Sequence, residues 1–180
     1  MGGIQEQHHD LFISYGRVDS KDFVIDLRNC LSAVQYQVWL DLDEIPPAVN
    51  YQQYINGAIE QADNFCFIIS PHAVHSPHCL IELELALQYG KRIIPIMQVE
   101  TISQATWQQR HPECTEADWQ QYVAQGLHSS QSAMPEVLQQ LNWIFNREGI
   151  DDGEVAFHQL VHTLNSDNFY VHRHTILLGK

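Results

Sequence analysis

Short apolar segments alternate with segments of helical periodicity along residues 10–97, and this alternation restricts the possible folds more than any other feature. The apolar segments span residues 10–15, 36–41, 64–70 and 92–97, and the helical patterns span residues 20–34, 51–62 and 76–89. Repeated strand–helix units of this kind build parallel sheets. A fifth strand at residues 141–145 and a covering helix at residues 151–164 complete the predicted order.

The predicted strands are apolar almost throughout, as in the run FCFII at residues 65–69. A strand without polar alternation is buried on both faces of its sheet, so helices must cover both sides. We therefore expect an α/β fold, a flavodoxin-like sandwich with a five-stranded, mostly parallel sheet and helices on both faces.

The chain has 180 residues, which is enough for one substantial core. We predict a flexible N-terminus at residues 1–9 and one domain at residues 10–166. That domain carries a surface insertion at about residues 99–135, where the periodicity fades to a weak helical pattern at residues 117–124. Residues 167–180 are predicted to form a helical extension, with a helix at residues 169–178, that leads to a further domain outside this sequence.

Charge and composition exclude several classes of partner. Nine Lys and Arg against 22 Asp and Glu give a formal net charge of −13, which disfavours binding to nucleic acid or to anionic lipid. The apolar runs are too short to span a bilayer, and the N-terminus lacks the pattern of a secretion signal. We expect a cytoplasmic protein. Its four cysteines are expected to be reduced, with Cys66 and Cys79 packed as small apolar residues.

Polar residues follow the predicted strands at the edge where ligands of parallel sheets bind, beyond the carboxyl ends of the strands. This edge is predicted to hold three groups of residues from three successive strand ends: Ser14, Tyr15, Gly16 and Arg17; Asp41 and Asp43; and Ser70, Pro71 and His72.

Glu82 lies in the first half of the next predicted helix, whose sequence CLIELELAL is apolar except for two glutamates. Residues two apart on a helix point in roughly opposite directions. Glu82 shares a face with small or apolar residues, so we expect it to face the cleft and Glu84 to face water. These neighbours are Cys79, Leu85 and Ala86. The alternative is that Glu82 is a solvated helix residue.

Several segments resemble a known family when taken together. DLFISY at residues 10–15, VWLD at 38–41, DEIPP at 43–47 and SPHCLIEL at 76–83 occur in this order. They resemble the first box, the second strand, the start of the BB loop and the Ser-x-Trp-Cys-x-x-Glu-Leu segment of the TIR (Toll/interleukin-1 receptor) family. GKRIIPI at residues 90–96 and NWIF at 142–145 fit that family's fourth and fifth strands.

Resemblance to the NAD-cleaving, bacterial-type members implies an activity. Such TIR domains convert NAD⁺ into nicotinamide and ADP-ribose or a cyclic isomer, and the motif places their catalytic glutamate at Glu82. NAD⁺ is then the substrate, and no cofactor is expected. The substrate-binding residues that the resemblance and the strand-end geometry suggest are Ser14, Tyr15, Gly16, Arg17, Trp39, Asp41, Ser70, His78 and Cys79, with Trp39 or Tyr51 offering an aromatic face and Asp41 or Ser70 binding sugar or ordering loops.

His78 departs from the family pattern, because many members have Trp four residues before the glutamate. Imidazole stacks less strongly than indole but can donate a hydrogen bond. The change affects the expected substrate affinity or product form more than the fold.

The resemblance also implies self-association, with other TIR domains as partners in a homo-oligomer that serves immune-type signalling. The assembly residues would be those of the BB loop: Asp43, Glu44, Ile45, Pro46, Pro47 and Tyr51. Many TIR domains are adaptors without activity, so a non-catalytic TIR–TIR interaction module is the alternative function.

Two other kinds of site have partial matches in the sequence. His72, His75, His78 and Cys79 invite comparison with a zinc site, but their spacing across a loop and a helix start does not match paired ligands, and no metal is expected. A response-regulator phosphorylation site would use Asp10, Asp41 and a lysine after a late strand.

A response-regulator phosphorylation site needs an acidic pair after the first strand, where this chain has Ser14 and Tyr15. Phosphate-binding glycine loops and a serine nucleophile elbow are absent from the sequence, which excludes the corresponding NTPase and hydrolase classes.

Overall fold

A parallel five-stranded sheet forms the centre of the computed structural model, which describes residues 8–41 and 47–166. All strand pairs are parallel, and the strand order is β2-β1-β3-β4-β5. The flavodoxin-like α/β fold is therefore confirmed, with a sheet that is parallel throughout the described part. The strands are β1 (His9–Ser14), β2 (Val38–Leu40), β3 (Ala62–Ile69), β4 (Arg92–Met97) and β5 (Ile144–Phe145).

Helices connect and cover the strands, and most of them begin at a side chain that accepts a hydrogen bond from the first turn. Asn50 caps α2 in this way, Ser76 caps α4 and Asp152 caps α8. The helices are α1 (Arg17–Ala33), α2 (Tyr51–Gln61), α3 (Pro71–Val74), α4 (Pro77–Gln88), α5 (Gln104–Arg110), α6 (Glu116–Ala124), α7 (Glu136–Gln139) and α8 (Gly153–Asn165).

One face of the sheet carries an aromatic core. Phe12 lies at its centre, with its ring stacked on Trp39 at a centroid distance of 4.8 Å and on Phe65 at 5.4 Å. Helices α2 and α4 cover this face through buried residues that include Ile59 and Leu83. Successive residues of a strand point to opposite faces, so the same strands must supply a second core on the other side.

That second core is aliphatic. Leu11 and Ile13 of β1 pack there with Ile68 of β3, and α1 and α8 cover them through residues such as Leu27 and Leu160. Helices on both faces were the expectation drawn from the apolar strands, and the two cores confirm it.

The insertion is more ordered than its sequence indicates. It contains α5, α6 and a 3₁₀ turn at Gln131–Ala133, whereas the sequence pattern shows only a weak helix. Its centre is Trp107, which is 4 % exposed and contacts the rings of Trp119 and Tyr122. These three aromatic residues form a small core of their own, and a segment rich in Gln and Ser gives no periodic signal for it.

Several predicted boundaries need correction. Strand β1 begins at His9, inside the range predicted to be flexible, and β5 is limited to two residues of the predicted 141–145. The helix predicted at residues 169–178 lies outside the described residues, and the predicted division into domains stays a prediction. Within residues 8–41 and 47–166, none of the helices has the length and apolar character needed to cross a membrane.

The central position of Phe12 gives a first prediction. Phe12→Ala removes a fully buried ring that stacks on two others, and we expect it to lower the free energy of unfolding by about 3–5 kcal/mol. Urea denaturation measures the change. The control is Val155→Ala on α8, where the side chain is 53 % exposed and the expected change is within about 0.5 kcal/mol. A loss below about 1 kcal/mol for Phe12→Ala would contradict the stacked core.

Candidate active site

The strand order places a crevice between the carboxyl ends of β1 and β3. From β1 the chain crosses over to β2 on one side, while β3 and β4 lie on the other side. Connections that leave in opposite directions open a crevice at this point, which is where parallel α/β sheets bind ligands. Tyr15, Gly16 and Arg17 follow β1 here, and Ser70 follows β3.

Glu82 is held at this crevice by the geometry of α4. The helix starts at Pro77 after the Ser76 cap, and its buried residues are Cys79, Glu82, Leu83 and Ala86. Glu82 is 7 % exposed, whereas Glu84 is exposed. The prediction that Glu84 faces water is confirmed, and the alternative of a solvated Glu82 is wrong.

The surroundings of Glu82 change its acidity. Burial raises the pKa of its carboxyl from 4.5 to about 7; hydrogen bonding to Ser14 opposes this shift, the Asp41 carboxylate adds to it and the Arg17 guanidinium opposes it. The Ser14 hydroxyl is buried beside the carboxyl but has no hydrogen bond of standard geometry within the described residues. It nevertheless lies close enough to act on the Glu82 carboxyl, as the direction of its effect on the pKa shows.

Asp41 ties the rim of the crevice together. Its backbone carbonyl accepts hydrogen bonds from the Tyr15 hydroxyl at 3.1 Å and from Arg17 Nη2 at 3.0 Å. Its carboxylate accepts from Arg17 Nη2 at 3.2 Å and from the Tyr51 hydroxyl. Burial raises the pKa of Tyr15 to about 12, so this hydroxyl stays protonated as a donor. Of the two roles expected for Asp41, the observed contacts are those of a residue that orders loops.

Cys79 and Ser70 also act on backbone in this structure. The Cys79 thiol is buried, donates to the Tyr15 carbonyl at 3.4 Å and has its pKa raised to about 11 by burial. The Ser70 hydroxyl is buried and accepts from the Ala73 amide at 3.2 Å, which makes it the cap of α3. Both side chains therefore fix backbone groups next to the crevice.

The aromatic face at the rim belongs to Tyr51. Trp39 is only 3 % exposed and lies in the aromatic core against Phe12, so its ring has no free face for a substrate. Tyr51 is 41 % exposed, and its ring meets His78 edge-on at a centroid distance of 6.4 Å. The structure thus corrects the choice of Trp39 and pairs His78 with Tyr51.

The segment predicted to mediate assembly is described only in part. Asp43, Glu44, Ile45 and Pro46 lie outside the described residues, and Pro47 is exposed. Pro47 and Tyr51 are therefore the predicted assembly residues that the structure describes, and both are exposed.

The histidines considered as zinc ligands have other contacts. His75 Nε2 lies 3.2 Å from the Gly126 carbonyl and 3.1 Å from the Ser132 hydroxyl, both in the insertion. His78 faces Tyr51. In the part of the chain that the structure describes, no group of three or more His, Cys, Asp or Glu is arranged to hold a metal ion.

Asp19 is a residue of the rim that the sequence analysis missed. Its side chain is fully buried, pairs with Arg110 at 2.6 Å and accepts from the His72 amide at 2.7 Å. An acidic residue in the first turn of α1 suits the helix dipole, which is the only local signal. Its partners are 91 and 53 residues away, so no local pattern reveals the contacts.

Comparisons with known proteins agree with this architecture. A family model described as TIR domain matches residues 11–106, more than half of the chain. No curated protein matches the sequence.

Solved structures match at low sequence identity. The TIR domain of the Toll-related receptor TRR-2 from Hydra magnipapillata is 17 % identical, with a TM-score of 0.59 over 88 % of this chain and 99 % of that one. The TIR domains of the activated Roq1 resistosome are 16 % identical, with a TM-score of 0.59 over 87 % of this chain and 99 % of that one. A metazoan TIR-STING receptor from C. gigas, in complex with 2′,3′-cGAMP, is 12 % identical, with a TM-score of 0.55 over 86 % of this chain and 40 % of that one. At these identities the structural matches establish the fold alone.

The raised pKa of Glu82 predicts a pH-dependent stability. The folded chain binds the Glu82 proton more tightly than the unfolded chain does, so this group's contribution is complete below pH 4.5 and is lost as the pH rises through about 7. The difference between pKa values of 4.5 and about 7 corresponds to about 3 kcal/mol. Urea denaturation at both pH values gives the free energy of unfolding of Glu82→Gln and of wild type. The stability of Glu82→Gln relative to wild type should be about 3 kcal/mol greater at pH 8 than at pH 4. A difference that does not change with pH would contradict the burial of an ionisable Glu82.

Proposed function

This chain belongs to the TIR domain family, and on that premise we propose that it cleaves the nicotinamide–ribose bond of NAD⁺, with Glu82 as the catalytic residue. The observation that carries the proposal is the buried Glu82 carboxyl at the crevice between the ends of β1 and β3, with its pKa raised to about 7. A buried, perturbed carboxyl in a ligand-binding crevice is characteristic of a functional group.

The chemistry needs a fixed negative charge. When the bond between ribose C1′ and the pyridinium nitrogen breaks, both electrons go to nicotinamide, which leaves as a neutral molecule. Positive charge then develops on C1′ and the ring oxygen. A carboxylate beside the ribose stabilises this charge, and it does so more strongly in a site from which water is excluded. Water next adds to C1′ and loses a proton, giving ADP-ribose; capture by an adenine nitrogen gives a cyclic isomer instead.

The rim supplies groups for the rest of the substrate. Tyr51 and His78 form an exposed aromatic pair on which a base or the nicotinamide ring can stack. The Arg17 side chain is 59 % exposed and offers a cation for the pyrophosphate. The Ser14 hydroxyl lies beside Glu82 and lowers the pKa of its carboxyl, so it is suited to stabilise Glu82 as a carboxylate.

Access to Glu82 requires the rim to move, because only 7 % of the residue is exposed. The hydrogen bonds of Asp41 to Tyr15, Arg17 and Tyr51 close the rim above it. Self-association is an established property of TIR domains, and contact of a neighbour with the exposed Tyr51 and Pro47 would compete with these bonds. We therefore assign the active state to a cytoplasmic homo-oligomer.

An assembly module without catalysis is the second candidate function. The exposed residues Pro47 and Tyr51 flank the segment that the family uses for contacts between TIR domains. A resistosome that recognises a pathogen effector contains TIR domains of similar fold, which favours immune-type signalling for either function. Only the turnover of NAD⁺ distinguishes the two.

A nicotinamide-release assay tests the proposal. Clustered or concentrated wild-type chain should release nicotinamide from NAD⁺, and Glu82→Gln should lower kcat by at least about a hundredfold because the developing positive charge loses its counter-charge. The matched control is Glu84→Gln, two residues along the same helix and exposed, which should leave kcat within about twofold of wild type. Chromatography of the products separates ADP-ribose from a cyclic isomer.

Two results would reject the catalytic assignment. Equal turnover by Glu82→Gln would show that another group does the chemistry. A wild-type chain that assembles but releases no nicotinamide when clustered is an interaction module.

The acidity of Glu82 predicts the pH profile of the reaction. The carboxylate is the active form, and the pKa of its acid in the free chain is about 7. The value of kcat/KM should therefore rise with pH and level off above about pH 8, with an apparent pKa near 7. A profile that is flat between pH 5 and pH 8 contradicts a role for the ionised Glu82.

A further inference from the structure

The insertion, residues 99–135, is fastened to the rim of the crevice. At the end of α5, Arg110 Nη1 donates to Asp19 Oδ1 at 2.6 Å. Farther along, the Gly126 carbonyl and the Ser132 hydroxyl lie within hydrogen-bond distance of the His75 ring, which follows α3. The insertion therefore contacts both the start of α1 and the end of α3.

The Asp19 carboxylate joins three elements. Its side chain is completely buried in α1, with Oδ1 paired to Arg110 of α5 and Oδ2 accepting from the His72 amide of α3 at 2.7 Å. Removing one partner of a buried ion pair leaves an uncompensated charge, which is costly. Arg110 is the cation that pairs with Asp19, so its loss should weaken the hold of Asp19 on the α3 amide.

Helix α3 in turn packs directly on Gly16. A Cβ added at Gly16 would lie 2.8 Å from the Ala73 amide nitrogen and 2.9 Å from His72 Nδ1. A side chain at this position would clash with the α3 backbone, so α3 approaches the chain at Gly16 closely and its position is coupled to that of the rim. Gly16 separates Tyr15 from Arg17, the two residues that bind the Asp41 carbonyl.

Arg110 is itself held firmly. It is the last residue of α5, where a cation suits the negative end of the helix dipole. Trp107, one turn earlier, is 4 % exposed and packs against Trp119 and Tyr122. The aromatic core of the insertion therefore fixes the helix that presents Arg110.

We propose that Arg110 is a positioning residue, which holds the Asp19 carboxylate in its hydrogen bond to α3 and thereby fixes the Tyr15–Arg17 rim for substrate binding. This inference rests on the proposed function for its effect on NAD⁺. Its structural step, from Arg110 through Asp19 to the His72 amide, does not need catalysis and is measured separately. It gives the insertion a role in the site rather than at the surface.

Amide hydrogen exchange tests the structural step in the full chain. Arg110→Met keeps an unbranched apolar side chain and removes the charged guanidinium, and the His72 amide should then exchange at least about tenfold faster. The double variant Asp19→Asn with Arg110→Met retains an oxygen that accepts from His72 without a buried charge, and it should restore exchange to within about threefold of wild type. Arg110→Lys should give an intermediate rate.

Arg147→Met is the matched control. The Arg147 side chain is 25 % exposed against 29 % for Arg110, and it also pairs with carboxylates, those of Glu100 and Asp151. It has no contact with α3 among its hydrogen bonds and ion pairs in the described residues. His72 exchange should not change in this variant, whereas a general loss of stability would accelerate exchange in both.

Steady-state kinetics test the functional step. Arg110→Met should raise the KM for NAD⁺ about tenfold and leave kcat within about twofold, because the rim moves while Glu82 on α4 keeps its place. A purely structural role would lower the melting temperature and leave KM unchanged below it.

The outcomes separate this inference from the proposed function. If wild type releases no nicotinamide, the proposed function fails, and the exchange result alone decides the role of Arg110. Unchanged exchange at His72 in Arg110→Met overturns the inference whatever the activity. Faster exchange with an unchanged KM overturns the effect on the rim, and faster exchange with a raised KM and rescue by the double variant supports the whole chain of contacts.

Discussion

Desolvation of one carboxyl group is the constraint around which this crevice is organised. Glu82 lies on the buried face of α4, and burial raises its pKa to about 7. A carboxyl in such a place lowers the stability of the folded chain at neutral pH. The fold tolerates this cost because one large core on each face of the sheet supplies the stability. The same desolvation would strengthen the attraction between the carboxylate and positive charge on a bound ribose.

The rest of the crevice controls access to that group. Asp41 draws Tyr15, Arg17 and Tyr51 together above Glu82, and every one of these contacts joins residues that are ten or more positions apart. Below the rim, Cys79 and Ser70 fix backbone rather than face a ligand. Breaking these polar contacts locally has a small free-energy cost, so the rim can open. The insertion adds a second restraint through Asp19.

The sequence predicts what depends on local periodicity and misses what depends on distant partners. Strands β1, β3 and β4 and the inward side of α4 follow from apolar patterns, and so does the burial of Glu82. The sequence predicts Trp39 as a substrate-binding residue, but the ring lies in the core instead. Its orientation depends on stacking against Phe12, which belongs to another strand. Asp19 and the aromatic core of the insertion were missed for the same reason, since their contacts have no periodic signature.

The acidity of Glu82 in the free and ligand-bound chain tests the central claim most directly. With ¹³C-labelled glutamate and the signal assigned by its loss in Glu82→Gln, an NMR titration gives the pKa of this one carboxyl. The account predicts a pKa of about 7 in the free chain and a lower pKa when an uncleavable NAD⁺ analogue is bound, because the pyridinium charge favours the carboxylate. A Glu82 that titrates near its ordinary value of 4.5 and does not respond to the analogue would contradict it.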